Sequence, residues 1–176
     1  MLSLLLAWAG AHPVQPDIWY PFDASAPNAE ANGGPSLTGT GCPAATDPGN
    51  TAVGEHLECA GSSSREAAWS PALDHGDTFT IGAWSWIDQP SDCGASDKCT
   101  LAQHGNTDAG RGFIFHTAGT GFLFHAHDDQ GNEGGVASSS AYPTGQWVWI
   151  VARLDGRDVT IFFDGVVAGQ GTLGFD

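Results

Sequence analysis

Asn106 and Asp108 lie two residues apart in HGNTDAGR, the loop His104–Arg111 between two strand-like runs, and offer an amide and a carboxylate oxygen from one short segment. Hard oxygen donors so placed suit calcium. The competing reading, a solvated Asn/Asp turn held by its own side-chain hydrogen bonds, carries more weight. Asp128-Asp129-Gln130-Gly131-Asn132-Glu133 has the content of a calcium loop without the twelve-residue spacing of an EF-hand. It reads better as a polar hairpin turn. His116, His125 and His127 fall on one side of two alternating runs, with His104 placed to join them from the next strand. Clustered imidazoles bind zinc or respond to pH near neutrality; a polar sheet face whose histidines stack and hydrogen-bond is the weightier alternative. Trp84, Trp86, Trp147 and Trp149 are flat rings that can stack on sugar faces, although the inter-sheet core should claim at least two of them.

Hydrolytic chemistry on glycans needs two carboxylates projecting into one cleft. None of Glu30, Glu55, Glu58 or Glu133 has a second acid two residues away. No catalytic residue is assigned, and the chain is expected not to be an enzyme.

The elements that must position these groups are strands. Gly145 to Gly171 is the clearest stretch. Val148, Ile150, Ala152 and Leu154 alternate with Trp147, Trp149, Val151 and Arg153, the period-2 pattern of a strand. Asp155-Gly156 supplies turn chemistry with positive φ, Val159, Ile161 and Phe163 alternate on the return, and Asp164-Gly165 repeats the device before Val166–Ala168. Asp77–Asp88 and Thr100–His104 read as strands. Gly112–Thr117 and Phe122–Asp128 read as a hairpin with phenylalanines gathered on one face. After a polar turn at Asp129–Gly135, Val136–Tyr142 follows as a strand. Upstream, Asp17–Asp23, Val53–Ala60 and Arg65–Trp69 are short strand candidates, whereas Ala24–Asn50, rich in Ala, Gly, Pro, Ser, Thr and Asn, reads as loop. Nine to eleven strands and no helix are expected, with no internal repeat and no boundary inside 12–176.

Length and composition agree. A chain of 176 residues buries a real core as one domain, and 25 glycines with 10 prolines mark a turn-rich β protein. Twenty acidic residues against five basic ones give a formal charge of −15. Such a surface repels phosphate backbones, so nucleic acid is not an expected partner. Four cysteines, Cys42, Cys59, Cys93 and Cys99, suggest two disulfides in an oxidising compartment. Three pairings can be drawn, and proximity in sequence favours Cys93–Cys99 with Cys42–Cys59. Met1–Ala11 is apolar with A-x-A spacing near its end, like the tail of a secretory signal, and is too short to span a bilayer as a helix. The expected location is secreted or cell-surface.

Three pieces together resemble a laminin G-like jelly roll of the concanavalin A-like lectin/glucanase superfamily: WYPFD (Trp19–Asp23), LDHGDTFTIGAWSWID (Leu73–Asp88), and the strand and D-G hairpin of Gly145–Gly171. The resemblance covers roughly Asp17 onward and implies an all-β, two-sheet antiparallel jelly-roll sandwich. The residues then divide into 1–11, a signal-peptide remnant, and 12–176, a laminin G-like domain without the final strand that such domains add beside their first. The family's lyases use Arg, Gln, His and Tyr on one concave face, and matching motifs are not visible. In the related pentraxins a loop near the position of Asn106 and Asp108 supplies ligands to calcium. The resemblance therefore implies a non-catalytic extracellular binding or adhesion module that recognises a glycan or a protein, with calcium as its cofactor. The alternatives are a fragment of a glycan hydrolase or lyase, and a structural module of a larger surface protein. No ligand-binding residue is assigned.

Overall fold

The structure is a computed structural model and describes residues 35–39, 42–46, 55–57, 66–68, 76–88, 99–105 and 112–175. Met1–Ala11, Asp17–Asp23, Cys59, Cys93, Asn106 and Asp108 lie outside the described residues. The chain divides into two compact units, Met1–Asp74 and His75–Asp176.

In the first unit, β1 (Leu37–Thr38) pairs antiparallel with β4 (Glu66–Ala67), and β2 (Ala44–Thr46) pairs antiparallel with β3 (Glu55–Leu57). The Thr38 hydroxyl donates to the Glu66 carbonyl at 3.2 Å. The stretch Ala24–Asn50, read from sequence as loop, thus contains two strands. Runs of two or three residues are too short for an alternation to show, and their partners are remote in sequence. Cys42 is buried and disulfide-bonded.

The second unit is a sandwich of two four-stranded antiparallel sheets. One has the order β12-β11-β10-β5, formed by β5 (Thr78–Trp86), β10 (Trp147–Asp155), β11 (Asp158–Phe163) and β12 (Val166–Thr172). The other has the order β6-β7-β8-β9, from β6 (Thr100–Gly105), β7 (Gly112–Ala118), β8 (Gly121–His127) and β9 (Glu133–Ala137). No helix occurs among the described residues, as the resemblance implies. The alternation read in Gly145–Gly171 is the burial pattern observed: Val148, Ile150, Ala152, Leu154, Val159, Ile161 and Phe163 all enter the core. Opposite them, Phe115, Phe122 and Phe124 are fully buried; Phe124 stacks on Phe113 and packs tilted against Phe79, and Phe122 packs tilted against Tyr142. Such aromatic burial is the main apolar gain of the fold, and truncating Phe124 to Ala should cost ~3–5 kcal/mol.

The Asp164-Gly165 turn has φ of 50° and 81°, the two consecutive positive values of a type I′ hairpin. Asp164 is the one non-glycine with positive φ among the described residues. Along β12, Ser139 donates its backbone N–H to the Ala168 carbonyl at 2.8 Å, and Gly169 has no side chain where the Ala137 carbonyl passes. The sandwich closes there, β12 of one sheet against β9 of the other.

The strand β9 starts earlier than the sequence suggests and ends at Ala137 rather than Tyr142. Residues 133–135, read as part of a polar turn, belong to the ladder. Glycines at 134 and 135 hide the strand from a propensity reading, yet Gly134 meets Gly174 and Phe175 so closely that no larger residue fits.

Candidate functional site

On the sheet β12-β11-β10-β5, the positions that alternate with the core form an outward face whose character changes along the strands. At one end, register places Thr78 and Thr80 beside Asp155 and Arg153, with Asp158 and Thr160 next to them. At the other end, Val167, Phe162, Val151 and Gly82 form one cross-strand row, Trp149 and Trp84 the next, and Trp147 and Trp86 the last. Trp84 and Trp149 have ring centroids 5.6 Å apart, and Trp86 and Trp147 meet edge to face at 5.9 Å. All four tryptophans therefore lie on the side away from the core. This corrects the expectation that the inter-sheet core claims at least two. The core positions between them are filled by Val148, Ile150 and Ala83, leaving no parity for an inward indole.

Trp86 is 43% exposed and Val167 51%, on the two opposite edge strands of the sheet. The remaining indoles are half-buried. Two hydrogen bonds steady the array. Trp86 donates its indole N–H to Asp88 Oδ1 at 2.7 Å. The Trp149 backbone N–H donates to Asp164 Oδ1 at 2.8 Å while the Asp164 N–H donates to the Trp149 carbonyl at 2.9 Å. The positive φ of Asp164 is what turns its carboxylate back onto β10. Four aromatic rings in two rows, held by backbone ladders and carboxylates, make an apolar surface in which the paired rings are inclined by 51° and 66°. Sequence reasoning named the tryptophans but missed Val151, Phe162 and Val167. Their signal was an apolar residue on both parities of β10 and β11.

The histidines separate. On the sheet β6-β7-β8-β9, register puts His116, His125 and His127 on the outward face. His104 pairs with Phe113 and packs beside its ring, centroids 6.0 Å apart, on the core-facing side, so it does not join them. His116 stands opposite Leu123 and is 3% exposed. Its Nδ1–H donates to the Thr117 carbonyl at 2.6 Å, which fixes the tautomer because a carbonyl only accepts. His125 and His127 do come together, rings 4.7 Å apart and edge to face, with Glu133 beside both.

The acidic stretch 128–133 is a hairpin turn. Asp128 Oδ1 accepts the backbone N–H of Gln130 and of Asn132 at 2.9 and 2.8 Å, and Oδ2 accepts the Asn132 side-chain amide at 2.7 Å. The Asn132 amide, ahead of the backbone donors and against a smaller opposing effect of burial, holds the Asp128 carboxyl below its usual range. Its oxygens serve the turn. Tyr142 is a core residue. Its hydroxyl donates to the Ser85 carbonyl at 2.8 Å, and burial raises its pKa. No helix among the described residues is long and apolar enough to cross a membrane.

No match was found among curated proteins. A family model described as the concanavalin A-like lectin/glucanases superfamily matches residues 61–176. That span takes in all eight strands of the sandwich, and by it the chain belongs to the laminin G-like family of the concanavalin A-like superfamily.

Proposed function

We propose that this protein is a non-catalytic extracellular recognition module that binds a glycan through the outward tryptophan face of the sheet β12-β11-β10-β5. The observation that carries the reading is the two-row array of Trp84, Trp149, Trp86 and Trp147, set on paired strands and partly open to solvent at Trp86. Indole faces stack on the apolar faces of pyranose rings and lose little side-chain freedom in doing so. Beside Glu133 stand two imidazoles rather than a second carboxylate, so Glu133 is not half of a glycosidase-type acid pair. The disulfides of Cys42 and Cys99 support an oxidising compartment. The reading includes calcium at Asn106 and Asp108, which rests on the sequence pattern alone.

A glycan array on the intact chain, followed by calorimetry with and without calcium, tests it. Wild type should bind a defined glycan class. Trp86→Ala should weaken that binding roughly tenfold, in line with about 1–2 kcal/mol for one aromatic contact, and leave the unfolding midpoint nearly unchanged. Calcium should raise the midpoint of wild type and not of Asp108→Ala. Absence of any glycan bound by wild type, or equal binding by Trp86→Ala, rejects the tryptophan face as the site.

A further inference from the structure

The residues left over by this reading are His125, His127 and Glu133, on the other sheet. The β8–β9 hairpin places them. Asp128 closes its turn so that His127 pairs with Glu133 and His125 with Gly135. The Nε2 atoms of His125 and His127 lie 3.7 and 4.0 Å from the same oxygen, Oε2 of Glu133. One ligand atom from each of the three residues falls within 4.8 Å of the others. Two residues i and i+2 on one strand project to the same side, and the third comes from the directly paired position on the edge strand. Gly135 completes the arrangement. A Cβ there would stand 3.2 Å from His125 Cδ2 and 3.0 Å from Leu123 Cδ1, so the absence of a side chain leaves the imidazole room to lean over β9.

We infer that His125, His127 and Glu133 form a zinc-binding site with one open coordination position. Tetrahedral zinc holds nitrogen and oxygen ligands at about 2.0–2.2 Å, which sets neighbouring ligand atoms about 3.4 Å apart. The observed 3.7 and 4.0 Å close to that value by a small movement of Glu133, whose side chain is 68% exposed. The donor set of two imidazoles and one carboxylate is that of zinc sites that keep the fourth position for water or a ligand, and it excludes calcium and magnesium, which take oxygen. Solvent reaches the site from the outward face, so a donor from a bound partner can complete the sphere. The site is independent of the tryptophan face and does not rest on the glycan reading.

The test is titration of the intact, metal-stripped chain with zinc chloride by calorimetry, with thermal unfolding as a second readout. One zinc should bind per chain and raise the unfolding midpoint. Loss of even an outer-shell partner of a zinc ligand costs about 10–100-fold in affinity, so His127→Ala and the isosteric Glu133→Gln should each lose at least tenfold. His104→Ala, on the core-facing side, should leave the stoichiometry and affinity unchanged. Glu133→Gln lies on an exposed side chain and keeps the fold, so a null result there cannot be blamed on misfolding. Absence of a one-to-one isotherm in wild type, or equal affinity in wild type and Glu133→Gln, overturns the proposal.

Discussion

Trp149 lies in the space that Gly82 leaves empty. The two residues sit on neighbouring strands two pairs apart in the ladder, and a Cβ built on Gly82 would stand 3.2 Å from Trp149 Cζ2, 2.9 Å from Val151 Cγ2 and 2.9 Å from the Ile150 carbonyl oxygen. The outward face is flat at this point because β5 carries no side chain there.

Gly82→Ala should therefore act on the face and not on the core. The carbonyl contact is backbone and cannot yield, so a loss of about 1–3 kcal/mol is expected. Equilibrium urea unfolding measures the loss. Trp149 should tilt away from the sheet, read as a shift in tryptophan emission that Trp149→Phe removes. Unchanged emission would show that the indole does not depend on the glycine.

The sandwich closure gives a second prediction, through two glycines of β12 with different neighbours. A Cβ on Gly169 would meet the Ala137 carbonyl oxygen at 2.5 Å and Ser138 Cα at 2.6 Å, all backbone, whereas on Gly171 it would meet Val136 methyls at 3.1 and 3.4 Å. Gly169→Ala must push β12 away from the end of β9 and should cost at least about 2–3 kcal/mol. Gly171→Ala asks only for a side-chain adjustment and should cost less than about 1 kcal/mol. Thermal unfolding of the pair tests whether backbone proximity, and not glycine content, fixes the closure. Equal losses would contradict it.

These glycines also mark where sequence reading stops. The strands of Gly145–Gly171 were legible because one parity is apolar throughout and two D-G turns bound it. The phenylalanine hairpin was legible for the same reason. What alternation could not supply was the side of the sheet on which each tryptophan lies, because both parities of β5 and β10 carry large apolar groups; only pairing with Val148 and Ile150 decides it. Glu133 was hidden differently. The run Asp129–Gly135 has turn composition, and the strand it begins is imposed by the Asp128 turn and by close approach at Gly134, neither of which appears as hydrophobic periodicity. Proximity of His125 and His127 was readable from their i, i+2 spacing. Their carboxylate partner was not.

The Asp128 turn predicts an acid dependence. Its carboxyl is held below the ordinary 3.8, chiefly by the Asn132 side-chain amide. The unfolded chain therefore takes up the proton first. The stability this group contributes is present above the unfolded value and is lost as pH falls through the folded one. Asn132→Ala removes the main cause, so its unfolding midpoint should fall less steeply than that of wild type below about pH 5. Hydrogen exchange localises the effect, since wild-type amides of the β8–β9 hairpin should lose protection in acid before those of β10 and β11. Parallel acid limbs in the two proteins would refute the assignment.

Tyr142 gives the opposite sign at the alkaline end. Its hydroxyl donates to the Ser85 carbonyl at 2.8 Å, and its ring packs edge to face on Phe163 with centroids 5.8 Å apart. Burial, with the nearby Asp164 charge adding to it, raises the phenol above the ordinary 10.0. Tyr142→Phe keeps the ring but leaves the Ser85 carbonyl without this donor, for an expected loss of about 0.5–1.5 kcal/mol at neutral pH. In wild type, the unfolded phenol ionises first as pH rises through 10.0, so the stability tied to its neutral form is present below that value and drains away above it. The gap between wild type and Tyr142→Phe should consequently narrow as pH rises past 10.0, because only wild type has that phenol to ionise. Urea midpoints of both proteins across the alkaline range measure it. A gap that stays constant would mean that the Tyr142 hydroxyl has the same pKa folded and unfolded, and that its bond to Ser85 is not buried from solvent.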